Sequence, residues 1–304
     1  MVSAGSLPVR AGGKTPVRSG ELVITGLLLS CAIVAVAAIF FILAFLLRDA
    51  SPVFLGSRVK DFFFSATWDP ASYPVGKYGI LPLVAGTLSV TIGAMALAVP
   101  LGIASAICIA RLLPPAARAV VKPAVELLAG IPSVVYRFFG LIGFSFLVLF
   151  LKFGVSLLAG QVTLGLMVLP TIIRTTEEAL KSVPASLREG SLALGATQWQ
   201  TVSRVVVPPA VPVIVTGAIL SIGRAAGETA PILFTAVVFS QRFLPDSIFS
   251  PVMALPYHLY ILATSVPGAE ANEYGTAVVL LHLVVLFYAL AIGVRTHYQK
   301  NTYG

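Results

Sequence analysis

Residues 206–237, VVPPAVPVIVTGAILSIGRAAGETAPILFTAV, form one apolar run in which the only charges are Arg224 and Glu228. The run exceeds the roughly 20 apolar residues needed to cross a hydrocarbon core, so it reads as a membrane span. Charges inside such a span demand a reason. A lone charge at a span's centre costs about 2.5–3.5 kcal/mol on insertion scales, so ionisable residues there face a bundle interior or cavity and find a partner. Arg224 and Glu228 stand four apart, which on a helix puts both on one face within pairing reach.

The rest of the chain has the same character. Of its 304 residues, 58% are hydrophobic and 11% are charged, against about a quarter charged in soluble domains. Mean hydropathy is +0.97. In water such a chain would expose large apolar patches, so the composition indicates an all-α, multi-span membrane protein. Apolar runs at 22–47, 82–110, 124–151, 154–173, 206–237 and 277–295 predict six transmembrane helices. Polar and turn-forming residues gather between them, as in RDASPVF, TWDPASYPVGKYG and RLLPPAARAVVKP. The expected organisation is a tail at 1–21, a first helix at 22–47, an outer segment at 48–81, a core at 82–297 and a tail at 298–304. Within the core lie an inner loop at 174–205 and an outer loop at 238–276.

The formal net charge of +8 raises the possibility of nucleic-acid binding, but the basic residues are scattered between apolar runs instead of forming one face or tail. They read as topology signals. With both termini inside, the inner segments hold twelve Lys and Arg residues and the outer segments six. That excess follows the positive-inside rule and orients the chain. Trp68, Tyr73 and Tyr78, just before the second span, suit an aromatic belt at the outer interface.

Three short motifs carry less than they promise. LLLSC, ending at Cys31, has the look of a lipoprotein cleavage box, yet the apolar run continues well past it, as in a retained signal anchor. GGKT at 12–15 is a fragment of a phosphate loop, but Pro8 stands where the first glycine is required and no strand precedes it. Cys31 and Cys108 both fall in apolar spans and read as packing residues. His258, His282 and His297 are too dispersed for a metal cluster, and no nucleophile–base set is present. The sequence therefore offers no catalytic residues, no metal ligands and no resident cofactor.

The informative inner segment is VPASLREGSLALGATQWQTVSRVVVPPA, 183–210. Pro184 stops one helix, Ser186 is placed to cap the next, and Glu189 stands three residues on, as in a capping box. Residues 187–194 make a short amphipathic helix, and Gly195 ends it. A short surface helix joined by glycine to a long span suits docking to a partner; an ordinary solvated loop is the plainer alternative.

Glu189, Gly195 six residues on, Val205 and Val207-Pro208 resemble the loop motif of bacterial ABC importer permeases: Glu-Ala-Ala, three residues, Gly, nine residues, Ile, any residue, Leu-Pro. Gly190 and Ser191 stand in place of the two alanines. The resemblance implies a type I ABC importer permease fold whose short helix, through Glu189, Gly190, Ser191, Gly195 and Pro208, docks on a cytoplasmic ATPase. ATP and Mg would then be bound by the partner subunits and not by this chain. The stretch from Leu187 through RAAGETAPILFTA is similar to the phosphate-specific (Pst) importer permeases of the PstA type, while TWDP, YGILPLVAGTLSVTIG and ELLAGIPSVVY are similar to the sister PstC type. That family implies a bacterial inner-membrane subunit importing phosphate with a second permease, two ATPase copies and a periplasmic phosphate-binding protein. Permeases for sulfate or molybdate, a passive channel and a membrane enzyme are the rival readings.

Two readings of Arg224 and Glu228 follow. The pair either holds helices together, or Arg224 supplies a fixed charge to an anion path and Glu228 neutralises it when the path is empty. A guanidinium meets phosphate oxygens by a planar fork, Thr229 adds a hydroxyl, and the resemblance implies a role for both charges in phosphate passage. Gly217, Ser221 and Ala225 repeat at steps of four and predict a ridge for close helix contact. Arg137, in IPSVVYRFFGL, is a third charge inside a predicted span. It reads as a second anion-path charge, as a partner of Glu126 or Glu228, or as a residue that disturbs packing.

Overall fold

The computed structural model describes residues 19–56, 59–69, 77–136, 155–239 and 246–303, with 138, 140 and 142 as single positions. Residues through Arg48 make one compact unit and those from Asp49 another. Helix α1, Ser19–Phe54, begins in the first unit, where most apolar side chains from Val23 to Leu47 are exposed, as suits a surface solvated by lipid.

In the second unit, α2 (Val59–Phe64) leads to a short antiparallel pair, β1 (Trp68–Asp69) and β2 (Lys77–Tyr78), with Trp68 opposite Tyr78. Helix α3, Leu81–Ile107, ends in a π-helical turn, Cys108–Leu112. Next come α4 (Pro115–Gly130), α5 (Leu157–Ser182), α6 (Ala185–Ala193) and α7 (Gln198–Thr201). A second π turn, Val202–Val206, opens onto α8 (Val207–Gly227), followed by α9 (Leu255–Ser265) and α10 (Glu270–Tyr303). Among the described residues, five helices are long and apolar enough to cross a membrane: α1, α3 with its π turn, α5, α7 through α8, and α10.

The remaining predicted span, 124–151, is described only in part, with 133–136, 138, 140 and 142 helical. Its helix α4 starts at Pro115 and stops at Ile131, whose backbone is extended (ψ 127°) because Pro132 bars the α conformation for the residue before it. Residues 143–154 lie outside the described residues. The fourth span runs to Ser182, past the expected end at 173, since the Arg, Glu, Ala, Leu and Lys residues of RTTEEALKS are good helix formers.

Helices α3, α5 and α8 build the core, with Val90, Ala94 and Ala98 against Leu164, Met167, Val168 and Ile172, and Ala225 joining from α8. The predicted small-residue ridge is buried: Gly217, Ser221 and Ala225 are all inside. A Cβ on Gly217 would lie 2.0 Å from Thr175 Oγ1, so glycine sets the α5–α8 approach.

Beyond α8 the chain re-enters and covers the start of α5. The amides of Ser156, Leu157 and Leu158 donate to the carbonyls of Thr235, Ser250 and Ile248, each at 2.9 Å, and Ala159 N donates to Ser156 Oγ. Four amides at this helix start, which hydrocarbon would leave unpaired, are thereby satisfied. Thr87 of α3 likewise accepts from Leu255 N at the start of α9.

His258 of α9 is fully buried, with Nδ1 3.1 Å from Ala254 O and Nε2 2.9 Å from Phe239 O. Burial lowers its pKa to about 4 against the pull of the two carbonyls. Trp68 packs edge-on against His258 at 4.5 Å and is itself buried, so it belongs to this core and not to an interfacial belt. Tyr73 lies outside the described residues.

Candidate anion path and coupling surface

The expected continuous span 206–237 ends at Gly227. Glu228 is extended (φ −81°, ψ 128°), and the punctuation is local: Gly227 is a weak helix former, and Pro231 biases Ala230 away from the α region. Arg224 therefore occupies the last helical turn, where a cation complements the helix dipole. Glu228 sits one residue past the helix, at the same negative dipole end, so its carboxylate gains from a cation beside it.

The two side chains do meet. Arg224 Nε lies 3.6 Å from Glu228 Oε1, with 44% of the Arg224 side chain and 21% of the Glu228 side chain exposed. Arg224 does not point into this chain's own bundle. It continues an open stripe of α8 formed by Val213, Leu220 and Gly227. Thr229 is half-buried beside it in sequence. Arg137 lies outside the described residues; of the carboxylates considered for it, Glu126 is 3.9 Å from Lys122 and Glu228 pairs with Arg224.

The loop motif is built differently from expectation. Pro184, not Ser186, is the N-cap of α6, and no side chain caps that helix, so the Ser186–Glu189 capping box does not form. The capping box is one helix later: Thr197 Oγ1 accepts from Gln200 N at 3.2 Å, and Gln200 Oε1 accepts from Thr197 N at 2.9 Å. Between the two helices Gly195 adopts φ +84°. Gly195 N donates to Leu192 O at 3.0 Å and Ala196 N to Ser191 O at 3.2 Å, the paired bonds of a Schellman motif. The motif's glycine is thus a left-handed helix terminus. Ser191 Oγ lies 3.0 Å from Thr201 Oγ1, tying α6 to the end of α7.

Residues 184–190 are all exposed, Glu189 among them, and a Cβ on Gly190 would meet no atom within 4 Å. Leu194 is 90% exposed and Trp199 60%. Pro208, in the first turn of α8, is exposed too. Leu194 and Trp199 are open apolar side chains beside a polar helix.

A second cluster was legible only in part, through the i, i+4 spacing of Glu177 and Lys181. Glu177 is buried near the end of α5, with Lys181 at 2.5 Å and, from α4, Lys122 at 3.3 Å and Arg118 at 3.7 Å. Arg111 of the first π turn donates to Leu180 O and holds the last turn of α5 from the other side.

Apolar spans packed through small residues, a charge pair at a broken helix, and an exposed helix ended by glycine define a multi-pass transport permease. Residues 98–301 match the family of binding-protein-dependent transport system inner membrane components, and the chain belongs to it. A probable ABC transporter permease protein of Bacillus subtilis, YqgH, is 39% identical over 279 residues, covering 89% of this chain and 88% of that protein. The phosphate transport system permease protein PstA 1 of Mycobacterium tuberculosis is 36% identical, covering 71% and 70%. The phosphate transport system permease protein PstC of Mesorhizobium japonicum is 32% identical, covering 72% and 68%. Among solved structures, a bacterial ABC transporter involved in import of the polysaccharide alginate shares the fold, with TM-score 0.67, 13% identity, and 91% and 96% coverage. The chain is an ABC importer permease subunit with the type I, all-α fold.

Proposed function

We propose that this subunit serves an ATP-driven importer of inorganic phosphate. The observation that carries the reading is the Arg224–Glu228 pair, set on an open face where α8 breaks, which presents a neutralised guanidinium to whatever passes between this subunit and a second permease. Likeness to both PstA and PstC proteins supports the phosphate assignment. In this reading the partners are a homologous permease, two cytoplasmic ATPases holding ATP and Mg, and a periplasmic phosphate-binding protein, all at the bacterial inner membrane with both termini of this chain cytoplasmic. Arg224, Glu228 and Thr229 form the path; Arg137 is either a further charge on it, a partner of an acidic residue, or a residue that disturbs packing. Glu189, Gly190, Ser191, Gly195 and Pro208 form the ATPase contact, and ATP-driven movement there switches the path between outward and inward access.

Uptake of radiolabelled phosphate by cells that depend on this importer tests it. Phosphate uptake should be unaffected by excess sulfate or molybdate, and Arg224→Ala should cut it at least about tenfold, since a hydrogen bond to a charged group is worth about 1.5–3 kcal/mol. Competition by sulfate or molybdate as strong as that of unlabelled phosphate would overturn the substrate assignment.

A further inference from the structure

We propose that the junction of α3 and α4 is a binding site for the phosphoryl headgroup of an anionic lipid in the cytoplasmic leaflet. The site is a cleft of about 380 Å³ lined by Leu113, Pro115, Arg118, Ala119, Lys122 and Pro123. It lies just past Leu112, where the candidate span Leu81–Leu112 ends, and so at the depth of headgroups.

Charge supplies the selectivity. Arg118, Lys122 and Lys181 surround one buried carboxylate, Glu177, and the second carboxylate in reach, Glu126, is half-exposed and 3.9 Å from Lys122. Arg111, whose guanidinium donates to Leu180 O next to Lys181, adds like charge close by. The cluster is therefore positive beyond its internal needs. Over a third of the Arg118 and Lys122 side chains is exposed, which leaves donors free for an outside anion. Between the two cations the cleft's own lining is apolar, with Leu113, Pro115 and Pro123 placed to meet an acyl chain. Basic side chains next to a span, with apolar neighbours, are what an anionic lipid recognises. The inference rests on the orientation proposed above and is independent of the transported substrate.

Native mass spectrometry of the assembled complex, released from membranes of phosphatidylglycerol and phosphatidylethanolamine, reads the site. The double variant Arg118→Gln, Lys122→Gln should retain about 25-fold less phosphatidylglycerol, some fivefold per surface cation, with phosphatidylethanolamine unchanged. Glu177→Gln should act oppositely, because it frees both cations from their internal counter-charge, and should raise phosphatidylglycerol retention. Equal retention by wild type and double variant overturns the proposal, as does parallel loss of both lipids. Displacement of the lipid by millimolar inorganic phosphate overturns it as well, by making the site one for free anion. Should the double variant fail to assemble, Glu177→Gln decides alone, and unchanged or lower retention there refutes the site.

Discussion

Arg224 is close enough to Glu228 to be neutralised and open enough to be used, and those two properties separate a transport role from a scaffold role. In a scaffold, removing both charges together leaves no unpaired group, so Arg224→Gln with Glu228→Gln should assemble and transport. In an anion path, the same double variant should assemble yet stay inactive, and that is the outcome we expect. Arg224→Lys should restore uptake only in part, since an ammonium keeps the charge but not the planar two-point fork. Phosphate uptake normalised to membrane abundance reads both results; near-normal uptake by the double variant would reduce the pair to packing. The neighbouring Thr229 and Gly227 matter through geometry, because the helix break presents Glu228 at a helix terminus instead of on a helical face.

At the scale of elements, the decisive unit is the α6–Gly195–α7 segment. Its turn depends on a left-handed residue, and a side chain there costs roughly 1–2 kcal/mol. The surroundings are empty within this chain, so the local cost is conformational and not steric. Gly195→Ala should therefore loosen the turn while leaving the surface open. Gly195→Asp also places bulk and charge at the docking face, and should abolish ATPase co-purification and lower uptake while the subunit still reaches the membrane at normal abundance. An intact, active complex carrying Gly195→Asp would remove this segment from the coupling path. The bond between Ser191 and Thr201 braces α6 on α7, and the π turn Val202–Val206 joins α7 to α8, the helix that bears Arg224.

For the molecule as a whole, the arrangement predicts which ends face which compartment. In a background lacking the natural thiols (Cys31→Ser, Cys108→Ser) and without the ATPase subunits, Leu194→Cys should react with an impermeant maleimide only in inside-out vesicles. Tyr260→Cys, on α9 and 51% exposed, should react only in right-side-out vesicles. Labelling of both from the same side would invert or break the proposed topology.

Hydropathy alone determined that this chain is a membrane protein and where α1, α3, α5, α8 and α10 lie, because hydrocarbon imposes a length and composition that any reader can count. The spacing of Glu189, Gly195 and Pro208 was legible for the same kind of reason: a short helix, a left-handed stop and a proline start are written in local residues. The path of the chain after a helix was not. The stop at Gly227 has local marks in Gly227 and Pro231, but the segment beyond it closes on α5 some 80 residues back in the chain, and that pairing is not local. The burial of Trp68 against His258 and the gathering of α4 and α5 cations on Glu177 were hidden likewise. Each joins residues far apart in sequence, and no local pattern encodes such a contact. Only the packed chain brings those groups together, and only there does burial decide which charges must be answered.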